Sequence, residues 1–342
     1  MAEASNSPES HPRYTVGWIA PLPIERAAAT ALFDEEHSRP ADFGQPKGDP
    51  NSYSWGRIGD HNVVLASLKA GVYGTTSSAS SATSMLRSFP DIRFGLLVGI
   101  GGAIPDNGHD IRLGDVVVSQ PSGSTGGVIQ YDLLKARSGG DRERKDFLNS
   151  PPEVLLHALS SLQAQHELER SRVSEYLQEM EKRNPFMFKS RPNNPGYRYP
   201  GQSKDRLFLP NYEHQGGPDC RGCTSEQEVE RDRREDGDPV IHYGVIASGN
   251  TLVKDASARE ELLRHIPADC LCYEMEAAGL MNSFPCIVIR GISDYSDSHK
   301  NDHWRRYAAA TAAAFAKELL GYVSADSVHR EERAIVALDK KS

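Results

Sequence analysis

Two carboxylates in the last quarter of the chain are spaced to share one small polar ligand. Glu276 follows the strand-like run Cys270 to Tyr273, and Asp294 follows the apolar strand-like run Cys286 to Ile292. A short helix expected over 276 to 283 separates the two strands, so both acids stand just past strand carboxyl ends. In open α/β sheets that edge is where ligands sit. Each acid also has a plain structural role open to it. Glu276 could serve the dipole of the helix it opens, and Asp294 could be a loop or N-cap acid. A glycine cluster, Gly99, Gly101 and Gly102, closes another apolar strand, 94 to 100. It lacks the third glycine spacing and the following acid of a dinucleotide fingerprint. It reads instead as a strand-end turn whose backbone can approach a ligand.

The elements that must hold these residues alternate in α/β rhythm. Strands are expected at 15–20, 52–58, 62–69, 94–100 and 115–119, with helices at 23–33 and 75–87. The strands 52–58 and 62–69 are joined by a Gly-Asp turn, a hairpin signal. The rhythm breaks between Lys135 and Pro239. Helices are expected at 151–167 and 171–183, and then Asn184 to Pro239 is rich in Pro, Gly, Asn and charge. Alternation returns with strand 240–248, helix 256–265, strand 270–273, helix 276–283, strand 286–292 and a helix from about Trp304 to Val323. This pattern predicts an α/β, three-layer single domain with a mixed central sheet flanked by helices, plus a long helical and irregular insertion at about 135–239. The domain is expected over 13–325, between a disordered tail at 1–12 and a second tail at 326–342.

Composition narrows the function classes. The 342 residues carry a net charge of −8 with no clustered Lys/Arg, so neither nucleic acid nor a membrane surface is an expected partner. No run approaches the roughly 18 apolar residues of a membrane span, and a soluble, cytoplasmic protein is expected. Five cysteines, three of them in strand-like runs, suit reduced thiols. Cys220 and Cys223 form a lone Cys-Arg-Gly-Cys. Zinc would need two further ligands, and the nearby His214 and His242 lack the second paired spacing, so a surface loop with two free thiols is expected. Arg290, His299, His303 and Trp304 are read as packing or surface residues, and no metal or cofactor is expected.

Six segments taken together carry a resemblance. They are Val16-Gly17-Trp18-Ile19-Ala20-Pro21-Leu22-Pro23-Ile24-Glu25, Gly71-Val72-Tyr73-Gly74, Val98-Gly99-Ile100-Gly101-Gly102, Gly114-Asp115-Val116-Val117-Val118, Glu274-Met275-Glu276 and Ser293-Asp294. In order and spacing they resemble the nucleoside phosphorylase superfamily. The nearest branch is the nucleosidases typified by methylthioadenosine/S-adenosylhomocysteine nucleosidase. Fungal versions of this domain, alone or as N-terminal modules of immune-receptor-like proteins, are also similar. The resemblance covers about 14–132 and 240–323, and leaves the insertion outside.

That resemblance implies cleavage of a ribose–purine N-glycosidic bond without a cofactor, by a protein that forms a homodimer. Asp294 matches the acid that protonates the purine at N7, with Ser293 orienting it. Glu276 matches the carboxylate that holds the ribose hydroxyls. Glu274 and Met275 belong to the same motif, and Met275 packs on the sugar. Gly71, Ile100 and Gly101 lie in the motifs that surround the nucleoside. Ser248 to Val253 matches the segment beside the base, where Asn250 could pair with N6 or O6 and Leu252 replaces the aromatic of the bacterial nucleosidases. An ordinary purine nucleoside, adenosine, inosine or guanosine, is therefore expected. Glu25 separates the branches, because phosphorylases carry an arginine here to hold phosphate and nucleosidases a glutamate that activates water. Positions that bind phosphate in hexameric phosphorylases match Leu97 and Ile100, which cannot contact an anion. Two alternatives stay open: a phosphate-dependent phosphorylase, and a nucleoside- or nucleotide-sensing effector module with little turnover.

Overall fold

The structure, a computed structural model, describes residues 14–105, 108–136, 142–144, 147–192, 194–264 and 269–339. The tail expected at 1–12 lies outside the described residues. The chain opens with β1 (Val16–Ile19), α1 (Pro23–Ala31), β2 (Glu35–His37) and the hairpin of β3 (Tyr53–Ile58) and β4 (His61–Ala66). Next come α2 (Thr75–Ser88), the long β5 (Phe94–Ala103), β6 (Val116–Ser119) and β7 (Val128–Gln130). The insertion holds a ribbon of β8 (Leu134–Ala136) and β9 (Arg142–Arg144), then α3 (Glu153–His166) and α4 (Val173–Arg183). Alternation resumes with β10 (Ile241–Ser248), α5 (Ala256–Leu263), β11 (Cys270–Glu274), β12 (Cys286–Asp294) and α6 (Arg305–Leu320). Two short helices follow, α7 (Ala325–Arg330) and α8 (Ala334–Asp339).

The main sheet runs β11-β10-β6-β12-β5-β1-β4-β3-β2, with β7 beside β10. It is mixed, since β12 lies parallel to β5 and antiparallel to β6. β5 is long enough to pair with β12 up to Gly102 and then, at Gly102 and Ala103, with β11 in the opposite sense. That second pairing closes β5, β12, β6, β10 and β11 into a ring, and brings the ends of β5, β11 and β12 together. Gly101 makes the crossing possible, because a Cβ there would lie 3.0 Å from the Tyr273 carbonyl oxygen.

Helices cover both faces, as the three-layer expectation requires. One face packs Trp18, Leu96 and Ile289 against α1, α3, α4 and α6. The other packs Leu97, Val288 and Ile292 with α2 and residues 277–284. The small side chains of α6, Ala308 to Ala314 with Thr311 among them, let it lie directly on β12. Gly291 completes that approach, since a Cβ there would collide with the Ala308 carbonyl. No helix among the described residues is long and apolar enough to cross a membrane.

Three expectations need correction. Gly99, Gly101 and Gly102 do not form a strand-end turn but lie within β5, paired with β12. Residues 276–283 do not form an α-helix but a single 3-10 turn at Ala277–Gly279. Gly279 lies so tightly on the Thr75 carbonyl that no side chain would fit. Pro285 then bars helix at the residue before it. The described part of the expected tail, 326–339, is not simply a tail, because α7 and α8 bury Val328 and Ala334, and the Ala334 amide donates to the Ile92 carbonyl at 2.8 Å. The irregular stretch after α4 is tied to the domain by polar contacts. Tyr197 donates to the Ile24 carbonyl at 2.9 Å, and Arg234 pairs with the buried Asp115 at 2.6 Å.

Candidate functional site

Glu25 occupies the third position of α1, just after the Pro21-Leu22 turn that leaves β1. Pro23 starts the helix where its missing N–H is no loss. The Glu25 side chain folds back so that Oε2 accepts the Leu22 N–H at 2.6 Å, the capping geometry its position allows. Oε1 accepts the Ile100 N–H of β5 at 2.8 Å, so the same carboxylate also bridges two strand ends. Glu25 is buried, and that burial pushes its carboxyl up to about 7, although Arg290 and the two amides pull the other way. It is therefore poised to exchange a proton near neutral pH.

β11 and β12 deliver the second group. Arg290 is the only charge within the apolar run Cys286–Ile292, and it is buried. It pairs with Glu274 and, at 3.2 Å, with Glu276. Burial opposes its charge, but Glu274, Glu276 and Glu25 together raise its pKa. Glu276 is itself raised, by burial first and by Glu274, while Arg290 opposes the shift. Its other oxygen accepts the Gly74 N–H at 3.4 Å, so α2's first turn is joined to the cluster.

A cavity of about 330 Å³ opens over this cluster, a size within the range of small-molecule sites. Glu25, Ile100, Gly101, Leu252, Glu274, Met275, Glu276 and Ser293 all line it, as expected from the sequence. Three expected residues stand elsewhere. Asp294 is buried beside the cavity but faces a neighbouring one, where its Oδ2 accepts from Ser293 at 2.7 Å and pairs with Lys300 at 2.8 Å. Its Oδ1 accepts the Ser296 N–H at 3.1 Å. The Asn250 side chain turns to the start of α2, accepting from the Thr75 N–H at 3.1 Å, and does not line the cavity. Gly71 forms a left-handed turn outside it, with φ of 76°. Leu97 lies fully in the core, so it contacts no anion.

Two lining tyrosines, Tyr131 and Tyr273, were not singled out in the sequence. Tyr131 and Tyr273 meet edge to face at 5.2 Å, and Tyr73 adds a third ring. They supply the aromatic wall that Leu252 alone does not. Lys254, Lys300 and Arg305 put positive charge on the wall. Arg290 was read as a packing residue, yet it organises three acids. A lone arginine in a strand core was the available signal, because a buried charge requires partners. Replacing it with Met should lower stability to urea by about 3 kcal/mol, since buried carboxylates would lose their counter-charge. A variant as stable as the parent would show that these acids carry no charge in the folded state.

The fold and the acid cluster define a class of protein, the nucleosidase-like fold with carboxylates at converging strand ends. Comparison with known proteins agrees. The phosphorylase superfamily matches residues 194–325, which takes in the second resembling stretch and part of the insertion. The chain resembles that superfamily and shares the fold of its nucleosidases. The solved methylthioadenosine/S-adenosylhomocysteine nucleosidase of Helicobacter pylori superposes with a TM-score of 0.55 at 18% identity, covering 90% of this chain and 98% of that one. A nucleotide-binding leucine-rich repeat-like protein of Hyaloscypha variabilis is 45% identical over 91% of this chain. The ATP nucleosidase Cap17 of Escherichia coli is 24% identical over 88%. The chain spans only 29% and 50% of those two proteins' own lengths.

Proposed function

We propose that this chain hydrolyses the N-glycosidic bond of purine ribonucleosides such as adenosine, inosine and guanosine, giving free base and ribose. The observation that carries the reading is Glu25, a buried carboxylate pushed up to about 7 on the wall of the cavity that Glu276 also lines. A general base works best when its pKa lies near the working pH. Water adds to C1′ as the bond from C1′ to the purine breaks, and Glu25 takes the proton from that water. Asp294 supplies a proton to N7, so the base leaves neutral. Glu276 accepts hydrogen bonds from the ribose hydroxyls, an interaction that strengthens as positive charge grows on the sugar. Phosphorolysis is disfavoured by charge. The guanidinium nearest Glu25 is already engaged by Glu274 and Glu276, and a phosphate beside these acids would be repelled.

A nucleoside 5′-triphosphate is the second reading, favoured by Lys254, Lys300 and Arg305 on the cavity wall and by similarity to a protein named as an ATP nucleosidase. One experiment separates the readings. The purified chain is incubated with the three nucleosides and their triphosphates in phosphate-free buffer, and base release is followed by chromatography. Free base and ribose from the nucleosides is the expected result, and faster release from triphosphates would favour the second reading. Ribose 1-phosphate formed only when phosphate is added would establish a phosphorylase. Calorimetric binding with no product would favour a sensing module, a reading that similarity to a nucleotide-binding leucine-rich repeat-like protein supports.

A further inference from the structure

Away from the acid cluster, the irregular part of the insertion brings a second set of reactive side chains together. His214, Cys220 and Cys223 place one ligand atom each within 4.8 Å of one another. Both cysteines are free thiols. They flank a 3-10 turn, Cys220–Gly222, whose cap is Asp219, with the Arg221 N–H donating to the Asp219 side chain at 3.1 Å. Arg206 holds the same turn from outside by donating to the carbonyls of both cysteines. The Cys-x-x-Cys is therefore not a loose loop but a fixed knuckle.

A fourth group arrives from a distant part of the sequence. His299 follows β12, is 6% exposed, and has no hydrogen-bond partner at either ring nitrogen. Its ring stacks on Phe208 at 4.1 Å and meets the ring of His214 edge-on at 5.5 Å. Its carbonyl accepts a contact from the Cys220 thiol at 3.7 Å. A buried imidazole with both nitrogens unpartnered is unfavourable unless something binds it. Asp297 lies 3.7 Å from His299 Nδ1. At that distance there is no hydrogen bond, so both ring nitrogens remain open to a ligand.

We propose that His214, Cys220, Cys223 and His299 bind a structural zinc ion. Two thiols and two imidazoles are the donors of a closed tetrahedral zinc site. Zinc bonds of about 2.3 Å to sulfur and about 2.0 Å to nitrogen set ligand spacings of about 3.3–3.8 Å, so the three clustered atoms draw in by roughly 1 Å on binding, and the His299 ring, whose nitrogens lie outside that cluster, moves toward them. His214 has both nitrogens engaged, accepting from the Gly216 N–H at 3.2 Å and facing the Asp219 carbonyl at 3.1 Å. One of these contacts is exchanged for the metal, and the other keeps the ring oriented. Binding forms two zinc–thiolate bonds and releases two protons. His242, the other histidine near in sequence, is taken by Asp115 at 3.0 Å.

The ion would staple the insertion to the loop that follows β12. Lys300, next to His299, pairs with Asp294, so the staple fixes the loop beside the proposed acid without taking part in the chemistry. The site itself does not depend on the nucleosidase reading.

The test uses the full chain expressed with zinc in the medium. Elemental analysis should find about one zinc per chain, and a Cys220→Ser/Cys223→Ser variant less than a tenth of that. Because that variant can fail to fold, the metal-stripped, reduced parent is also titrated with cobalt. The thiolate charge-transfer band and intense visible bands of a tetrahedral site are expected. His299→Gln should weaken cobalt binding by about 100-fold, at or above the loss from disturbing an outer partner of a ligand. No stoichiometric zinc and no charge-transfer band would overturn the site, as would a purified protein whose Cys220 and Cys223 are joined in a disulfide. Unchanged affinity in His299→Gln would overturn the assignment of the fourth ligand.

Discussion

Glu25→Gln is expected to lower base release by about 10²–10⁴-fold, the range removed with a general base. The substitution keeps the side chain's length and one oxygen to accept an amide hydrogen, so a pure capping role predicts little change in turnover. The pH dependence is the sharper readout. Glu25 must be unprotonated to take a proton from water, and its carboxyl stands at about 7. The acid-side limb of wild-type turnover should therefore rise through about pH 7, and the residual rate of the variant should lack that limb. Stability should move in the opposite sense. A carboxyl raised from 4.5 to about 7 keeps its proton in the folded state where the unfolded chain has lost it. That contribution is fully present below the unfolded value and fades as pH rises through the folded one, by about 3 kcal/mol in total. Urea unfolding of both proteins near pH 5 and near pH 8 should show the parent losing more stability than the variant. Equal losses would mean that Glu25 is not held protonated by burial.

Most of the architecture could be read from hydrophobic periodicity, because β5, β11 and β12 are largely apolar runs and α1, α2, α5 and α6 have clear limits. The misreadings came from tertiary contacts. The segment 276–283 has helical composition, but Gly279 is pressed onto Thr75 and the chain turns. β2 and β7 are three residues each and exist only through pairing with β3 and β10. α7 and α8 looked like a tail because their apolar positions are few, and only docking buries them.

The site divides in the same way. Glu25 and Glu276 were legible as motif residues because their positions follow from local strand-end geometry, whereas the glycines read as a strand-end turn are paired inside β5, which runs on to Ala103. Arg290 was not, because its meaning lies in Glu274 and Glu276 on the neighbouring β11. Asn250 was expected to face a purine, but the Thr75 amide and hydroxyl compete for its carboxamide and hold it away. The Cys220/Cys223 pair looked isolated for a related reason. Its sequence neighbourhood offers His214 and His242, of which Asp115 holds the second, while His299 comes from a loop 76 positions beyond Cys223 along the chain.

Asp294→Asn should lower release of adenine, hypoxanthine and guanine by about 10²–10⁴-fold, through loss of the acid. The fold should persist, since Asn keeps Oδ1 for the Ser296 amide and its NH2 can donate to the Ser293 hydroxyl, which turns to accept. Asp294 lies behind Lys300 and not on the cavity wall, so the carboxyl must exchange that ion pair for the purine before it can act. Lys300→Met tests the exchange, and should change turnover by less than about 10-fold while leaving the acid in place. The leaving group separates acid from base. A 4-nitrophenyl riboside releases a phenolate that needs no proton, so Asp294→Asn should retain activity on it while Glu25→Gln loses activity on every substrate. If Asp294→Asn were equally impaired on both, the residue would be positioning the sugar or the loop, and the purine's proton would have to come from solvent.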